Sequence, residues 1–121
     1  REWTSRGTRW LTHAAGGHCG KTTGEADCTD GESGVLQLPS DSFKDWRGKP
    51  SWARAATDCL EMCAECASCR FVSVSTKSRD CSWYASCDLG ALHGAHPKDG
   101  KMPRHRSGLA TAHRAVGLGS E

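Results

Sequence analysis

The sequence predicts a small disulfide-rich α+β module, with one helix packed on an antiparallel β-sheet and irregular extensions at both ends. This prediction rests on one segment of helical periodicity, a strand pair directly after it, and eight cysteines in 121 residues. A chain of this length suits a single domain. Composition divides it into an N-terminal extension over 1–34, a core over 35–92 and a basic, Gly- and His-rich tail over 93–121.

The helix is predicted over Ser51 to Ala67. Pro50 cannot continue a preceding helix, and Ser51 is a natural N-cap followed by residues that favour helices. Several residues recur at steps of four, three, four and three: Trp52, Ala56, Cys59, Cys63 and Cys66. Because this spacing places them on one face, we expect the helix to present a sulfur-rich stripe to the core.

A β-hairpin is predicted immediately after the helix. Val72 and Val74 alternate with serines, which is the period of a strand with one buried face. The polar stretch 76–80 is typical of a turn, and a second strand follows over 81–84. Side chains alternate along that strand, so we expect Trp83 to enter the core and Tyr84 to reach the surface.

The regions outside this core are predicted to be largely irregular. A short strand is expected at Val35 to Leu38, at the edge of the sheet. Residues 1–34 are rich in Gly, Thr and charge, with Trp3 and Trp10 as their aromatic anchors. The tail over 93–121 is low in large apolar residues, so we expect it to be solvated or, if ordered, to lie on another subunit.

Four central cysteines resemble the pattern of the PAN/apple family of small extracellular modules. Cys59, Cys63, Cys69 and Cys81 are separated by three, five and eleven residues. In that family a helix carries two cysteines one turn apart, the next opens a strand, and the fourth lies on a neighbouring strand. The resemblance covers about residues 51–89. It implies bonds Cys59 to Cys81 and Cys63 to Cys69, which would clamp the helix onto the sheet.

The other four cysteines lie outside this pattern. Cys66 on the inner stripe and Cys87 after the second strand are candidates for a third bond. Cys19 and Cys28 are then left as a pair by elimination, closing a compact loop in the N-terminal extension. An even set of cysteines in a chain with only 36% hydrophobic residues favours an oxidising compartment, extracellular or secretory. Because the chain begins at Arg1, we expect a mature or excised form.

Metal binding is an alternative use for the same cysteines. Cys63, Cys66 and Cys69 match the opening of a bacterial iron–sulfur motif, but the fourth cysteine with its following proline is absent. Zinc held by cysteines with His18 or His93 is conceivable in a reducing compartment. Zinc modules usually present separate C-x2-C pairs, however, and here the pairs share Cys66. We therefore expect no metal and no cofactor.

The sequence contains no nucleophile elbow, phosphate loop or paired-carboxylate signature, so we expect no enzyme and no catalytic residue. An exposed Tyr84 beside Arg70 and Lys77 is the candidate contact patch for a protein or a sugar. The basic tail lacks the interleaved aromatic residues of a nucleic-acid platform, so nucleic acid is not an expected partner. No apolar run approaches the roughly 20 residues that span a bilayer.

The resemblance to PAN/apple modules implies non-catalytic recognition of a protein or carbohydrate partner outside the cytosol. A different class of function is a structural accessory subunit, held in a larger assembly by its extended termini. A zinc-binding module is the third.

Overall fold

Five antiparallel strands form the sheet of this computed structural model, and two helices pack together with it. The structure describes residues 2–20, 28–29, 31–95 and 102–110. The helices are α1 (Glu2–His13) and α2 (Trp52–Ala64), with a 3-10 turn at Ser40–Phe43. The strands are β1 (Ala15–Gly16), β2 (Ser33–Val35), β3 (Phe71–Ser75), β4 (Asp80–Tyr84) and β5 (Arg106–Leu109), in the order β1-β5-β3-β4-β2. The predicted disulfide-rich α+β fold is confirmed.

Helix α2 begins where the sequence predicted and ends earlier. The Ser51 hydroxyl accepts a hydrogen bond from the Arg54 amide at 3.2 Å, which caps the helix. The helix ends at Ala64, not Ala67, because Cys63 is bonded to Cys69 with their Cα atoms 5.4 Å apart. Six residues of helix would separate these atoms by about 9 Å, so the chain must leave the helix to close this bond.

The prediction of an irregular N-terminus is wrong, because residues 2–13 form helix α1. Gly7 allows the two helices to touch: a Cβ there would lie 2.2 Å from the Ala53 carbonyl oxygen. Trp10 is buried and its indole lies over Gly108, where a Cβ would come within 3.3 Å of Nε1. The glycine that lowers helix propensity is therefore the residue that permits helix packing.

The sheet buries both of its faces. Val72, Val74, Cys81 and Trp83 lie on the face toward α2, and all four are buried. Trp83 packs against Gly34 on β2, where a Cβ would lie 2.6 Å from Nε1. The expectation that Trp83 belongs to the core is confirmed.

The opposite face, which we call the serine layer, carries buried hydroxyls: Ser73, Ser75, Ser82 and Ser107. The alternation of valine and serine in β3 suggested one solvated face, but residues 17–20 cross it. Ser73 and Ser107 hydroxyl oxygens lie 2.6 Å apart, and Ser107 donates to the Gly17 carbonyl at 2.6 Å. The Cys19 amide donates to the Ser73 hydroxyl at 3.1 Å. Burial is tolerated because each of these polar groups has a partner.

Part of the predicted basic tail belongs to the sheet. Strand β5 lies between β1 and β3, with Ser107 opposite Ser73 and Gly108 opposite Val72. On one face of β5, Ser107 belongs to the serine layer, and on the other Gly108 leaves room for the Trp10 indole. Hydrophobic periodicity does not reveal either contact. The described parts of both termini are therefore built into this domain. The rest of the predicted tail, at 96–101 and 111–121, lies outside the described residues.

All eight cysteines form disulfides, and two of the four pairings were predicted wrongly. Cys59 is bonded to Cys81 and Cys63 to Cys69, as the resemblance implies. The other two bonds are Cys19 to Cys87 and Cys28 to Cys66, in place of Cys66 to Cys87 and Cys19 to Cys28.

The covering of the sheet explains the difference in pairing. Residues 17–20 lie across the serine layer, so Cys19 comes beside Cys87, which follows β4. Cys28 lies at the turn after α2, where its carbonyl accepts from the Ser68 amide at 2.8 Å. It therefore meets Cys66 there.

The strand predicted at Val35 to Leu38 is displaced toward the N-terminus. Strand β2 covers Ser33–Val35 and pairs with β4 at the edge of the sheet, as expected for its position. The Leu36 amide donates to the Cys81 carbonyl at 2.7 Å, so one hydrogen bond continues the pairing with β4 beyond the end of β2.

Candidate functional site

A groove of about 780 Å³ opens beside the serine layer, and we call it the histidine groove. Its walls come from five separate parts of the chain. The lining residues are Gly17, His18, Pro50, Trp52, Thr76, Lys77, His93, Gly94, Met102, Pro103, Arg104 and His105. Pockets of this size are large enough for a small ligand or a segment of a larger one.

Three imidazoles meet in this groove. The ring centroids of His18 and His93 lie 5.4 Å apart in a stacked arrangement, and those of His18 and His105 lie 5.2 Å apart. Backbone pairing fixes the first pair, because each amide of His18 and His93 donates to the other's carbonyl at 2.9 Å. Gly17 at φ +117° turns the chain into this position.

A partly buried hydrogen-bond network anchors the third imidazole. His105 Nε2 lies 2.9 Å from Asp80 Oδ2, a contact in which the nitrogen donates and the carboxylate accepts. The Ser82 hydroxyl reaches the same carboxylate, at 2.8 Å from Oδ1. Asp80 is thus engaged behind the groove and does not line it.

The groove is basic on part of its lining and apolar on the rest. Lys77 and Arg104 supply exposed cations. Trp52, Pro103 and Met102 supply apolar surface, and Met102 is 73% exposed. None of the described lining residues is acidic. This lining suits an anionic ligand that also has apolar surface to bury.

The residues that the structure describes contain no group of three or more His, Cys, Asp or Glu side chains arranged to hold a metal ion. All eight cysteines are oxidised, so no thiolate remains to bind zinc. The zinc module raised from the sequence therefore loses the cysteine ligands on which it depended.

The predicted contact patch does not form. Tyr84 is 5% exposed, because the segment 17–20 covers its side of the sheet and the Gly20 carbonyl accepts from its hydroxyl at 2.6 Å. Burial raises the pKa of the Tyr84 phenol above its ordinary value. Arg70 precedes β3 and Lys77 follows it, so they lie at opposite ends of this strand. Only Lys77 lines the histidine groove.

The sequence offered little means of finding the groove. His18, His93 and His105 come from three segments predicted to be irregular, and no local spacing relates them. The one available signal was compositional, since these histidines stand among glycines and basic residues outside the predicted core.

Comparison of this chain with protein-family models, with curated proteins and with solved structures finds no match. The class of protein is defined by the fold and its cross-links: a small α+β domain with four disulfides. These bonds are consistent with an oxidising environment. Among the described residues, neither helix has the length and apolar content that crossing a membrane requires.

Proposed function

We propose that this protein is a non-catalytic recognition module of the extracellular space or a secretory lumen, binding an anionic carbohydrate or protein in the histidine groove. The observation that carries the proposal is the lining of this groove. Lys77 and Arg104 face it, its described lining contains no carboxylate, and the Asp80 carboxylate behind it is hydrogen-bonded to His105. Cationic clefts attract anions from solution and orient them on arrival.

The cross-links support a binding role because they hold the groove in shape. Cys19, which is adjacent to His18, is bonded to Cys87, and residues 88–92 lead from there to His93. A groove fixed before its ligand arrives avoids part of the ordering cost of binding. The PAN/apple resemblance favours the same role, and the pairings Cys59 to Cys81 and Cys63 to Cys69 are the two that this resemblance implies.

Isothermal titration calorimetry with three probes tests this function. Sucrose octasulfate represents a compact anionic sugar, polyglutamate an acidic protein segment and dextran a neutral glucan. We expect one of the anionic probes to bind and dextran not to. We expect Lys77→Ala and Arg104→Ala each to weaken that binding roughly fivefold, which corresponds to about 1 kcal/mol for an exposed charged contact.

The control is Arg9→Ala, which removes the same charge from an exposed position on α1 that does not line the groove. It is expected to change the affinity by less than about twofold, as screened surface charges do. Equal losses in all three variants would show only general attraction to net charge, and the groove would not be the binding site.

A further inference from the structure

We propose that the turn over residues 44–50, which we call the Trp46 turn, extends the histidine groove and stacks on a pyranose ring of an acidic polysaccharide. This inference rests on the proposed function and chooses the carbohydrate over the protein ligand. It assigns a role to the exposed side chain of Trp46, which does not line the groove.

The Trp46 turn is held rigidly by its own backbone. Lys44 and Pro50 pair at its base, and the Asp45 amide donates to the Lys49 carbonyl at 2.7 Å. The Asp45 carboxylate accepts from the amides of Arg47 at 2.8 Å and Lys49 at 3.0 Å. Gly48 adopts φ +80°, a conformation that glycine reaches without strain. The backbone that carries Trp46 is therefore already formed, so contact with a ligand does not require ordering of this turn.

Trp46 itself is 89% exposed, whereas Phe43, three residues earlier, is 4% exposed and packs in the core. A tryptophan left in water forgoes the largest burial gain that any side chain offers. The Arg47 guanidinium carbon lies 5.4 Å from its ring centroid. This places a cation beside the aromatic surface, a pair of residue types that recurs at binding hot spots.

The charges of the turn favour an anion next to the stacked ring. Hydrogen bonds from the Lys49 and Arg47 amides lower the pKa of Asp45, so this carboxylate is engaged within the turn. Within the turn, Lys44, Arg47 and Lys49 outnumber the single carboxylate, Asp45, which is also paired with the Arg47 guanidinium at 3.3 Å. A pyranose presents an apolar C–H face that packs on an indole, and a sulfate or carboxylate substituent would meet the neighbouring cations.

A lipid surface fits the Trp46 turn less well. Interfacial anchoring needs a continuous apolar face, and Trp46 is flanked by charged residues on both sides. An acidic protein remains a competitor, and the experiment below decides between the two.

The turn and the groove share a residue. Pro50 closes the turn and also lines the groove. Trp46 is four residues away, so its Cα lies within about 14 Å of that of Pro50. A polymer long enough to occupy the groove can therefore reach the indole, and its second contact forms at high effective concentration. A compact ligand confined to the groove gains nothing from Trp46.

Ligand length is the variable that tests this inference. Binding of dextran sulfate and of sucrose octasulfate is measured at one physiological ionic strength. We expect Trp46→Ala to weaken dextran sulfate binding roughly tenfold, and to leave the affinity for sucrose octasulfate within about twofold. Trp46→Phe keeps an aromatic face and is the matched control, expected to retain most of the affinity. Because Trp46 is exposed, neither variant should perturb folding, which circular dichroism checks.

Three results would overturn the inference. If Trp46→Ala leaves dextran sulfate binding unchanged while Lys77→Ala weakens it, the groove binds anions without the turn and the proposed function stands. If Trp46→Ala weakens polyglutamate binding as much as dextran sulfate binding, the partner is an acidic protein. If Lys77→Ala and Arg104→Ala affect neither sugar, the proposed function fails, and the turn is not an extension of the groove.

Discussion

The Gly7 amide donates to the Thr57 hydroxyl at 2.9 Å, and this buried hydrogen bond joins helix α1 to helix α2. The two helices approach so closely that their backbones touch: a Cβ on Gly7 would lie 2.7 Å from the Thr57 amide nitrogen as well as 2.2 Å from the Ala53 oxygen. Real Cβ atoms do not come this close to backbone atoms. The packing of the N-terminal helix therefore depends on the absence of a side chain at one position.

Gly7→Ala is expected to destabilise the domain in spite of the higher helix propensity of alanine. Overpacking usually costs about 1–3 kcal/mol, and a Cβ 2.2 Å from a backbone oxygen places this variant toward the upper end of that range. That cost exceeds the roughly 1 kcal/mol that alanine contributes over glycine in a helix. Urea unfolding followed by circular dichroism measures the difference. Gly90→Ala is the control, since a Cβ there meets only Asp88 Oδ1 at 3.4 Å. A Gly7→Ala variant as stable as Gly90→Ala would contradict the close contact.

The disulfide connectivity predicts the product of a tryptic digest without reductant. Trypsin places the cysteines on four peptides, 10–21, 22–44, 55–70 and 80–98. The bonds Cys19 to Cys87, Cys28 to Cys66 and Cys59 to Cys81 join all four into one species. Pairing Cys19 with Cys28 and Cys66 with Cys87 would instead give two separate species of two peptides each. Mass spectrometry distinguishes these results directly.

The longest and shortest disulfide loops should contribute unequally to stability. The bond Cys19 to Cys87 spans 68 residues and Cys63 to Cys69 spans 6. If the bonds act by restricting the unfolded chain, alanine replacement of the long pair costs about 4 kcal/mol and that of the short pair about 2 kcal/mol. Urea unfolding of the two double variants gives both values. A larger loss from the short pair would show that packing around Cys63, not chain entropy, dominates.

The raised pKa of the buried Tyr84 phenol predicts how the free energy of unfolding changes at high pH. Its pKa is raised above 10.0 by burial, so the folded protein holds the phenol proton more tightly than the unfolded chain does. The contribution of Tyr84 to the free energy of unfolding is therefore complete below about pH 10, and it is lost as the pH rises through the pKa of the folded state. Tyr84 is the single tyrosine of the chain, so absorbance of tyrosinate at 295 nm reports on it alone.

We expect the folded protein to titrate at a higher pH than the protein in guanidinium chloride. Tyr84→Phe should reduce the loss of unfolding free energy above pH 10 relative to the parent protein. Coincident folded and unfolded titration midpoints would show that the hydroxyl is not buried against Gly20.

The parts of the fold that local pattern determines were predicted well. Helix α2 has an N-cap at Ser51 and a repeating buried face, and the hairpin of β3 and β4 follows from alternation with a polar turn. These signals lie within windows of a few residues. The alternation of side chains along β4 likewise predicted that Trp83 lies in the core.

The parts that depend on distant contacts were missed. Gly7 and Gly108 carry no apolar signal, yet each is required where a helix or an indole approaches the backbone. The exposure expected for Tyr84 failed because residues 17–20, far away in sequence, cover that face. The pairing of Cys19 depended on the same covering segment. The three histidines of the groove come from three segments that meet only in the folded chain.

The bond between Cys19 and Cys87 closes the intervening chain into a covalent ring. Hydrolysis of any one peptide bond inside that ring leaves a single molecule whose two new ends cannot separate. Shedding a piece of the ring requires a second hydrolytic event or a reductant. In an environment poor in thiols, a single cut therefore leaves both sides of the cleaved bond in one covalent molecule, where they can re-form the same contacts.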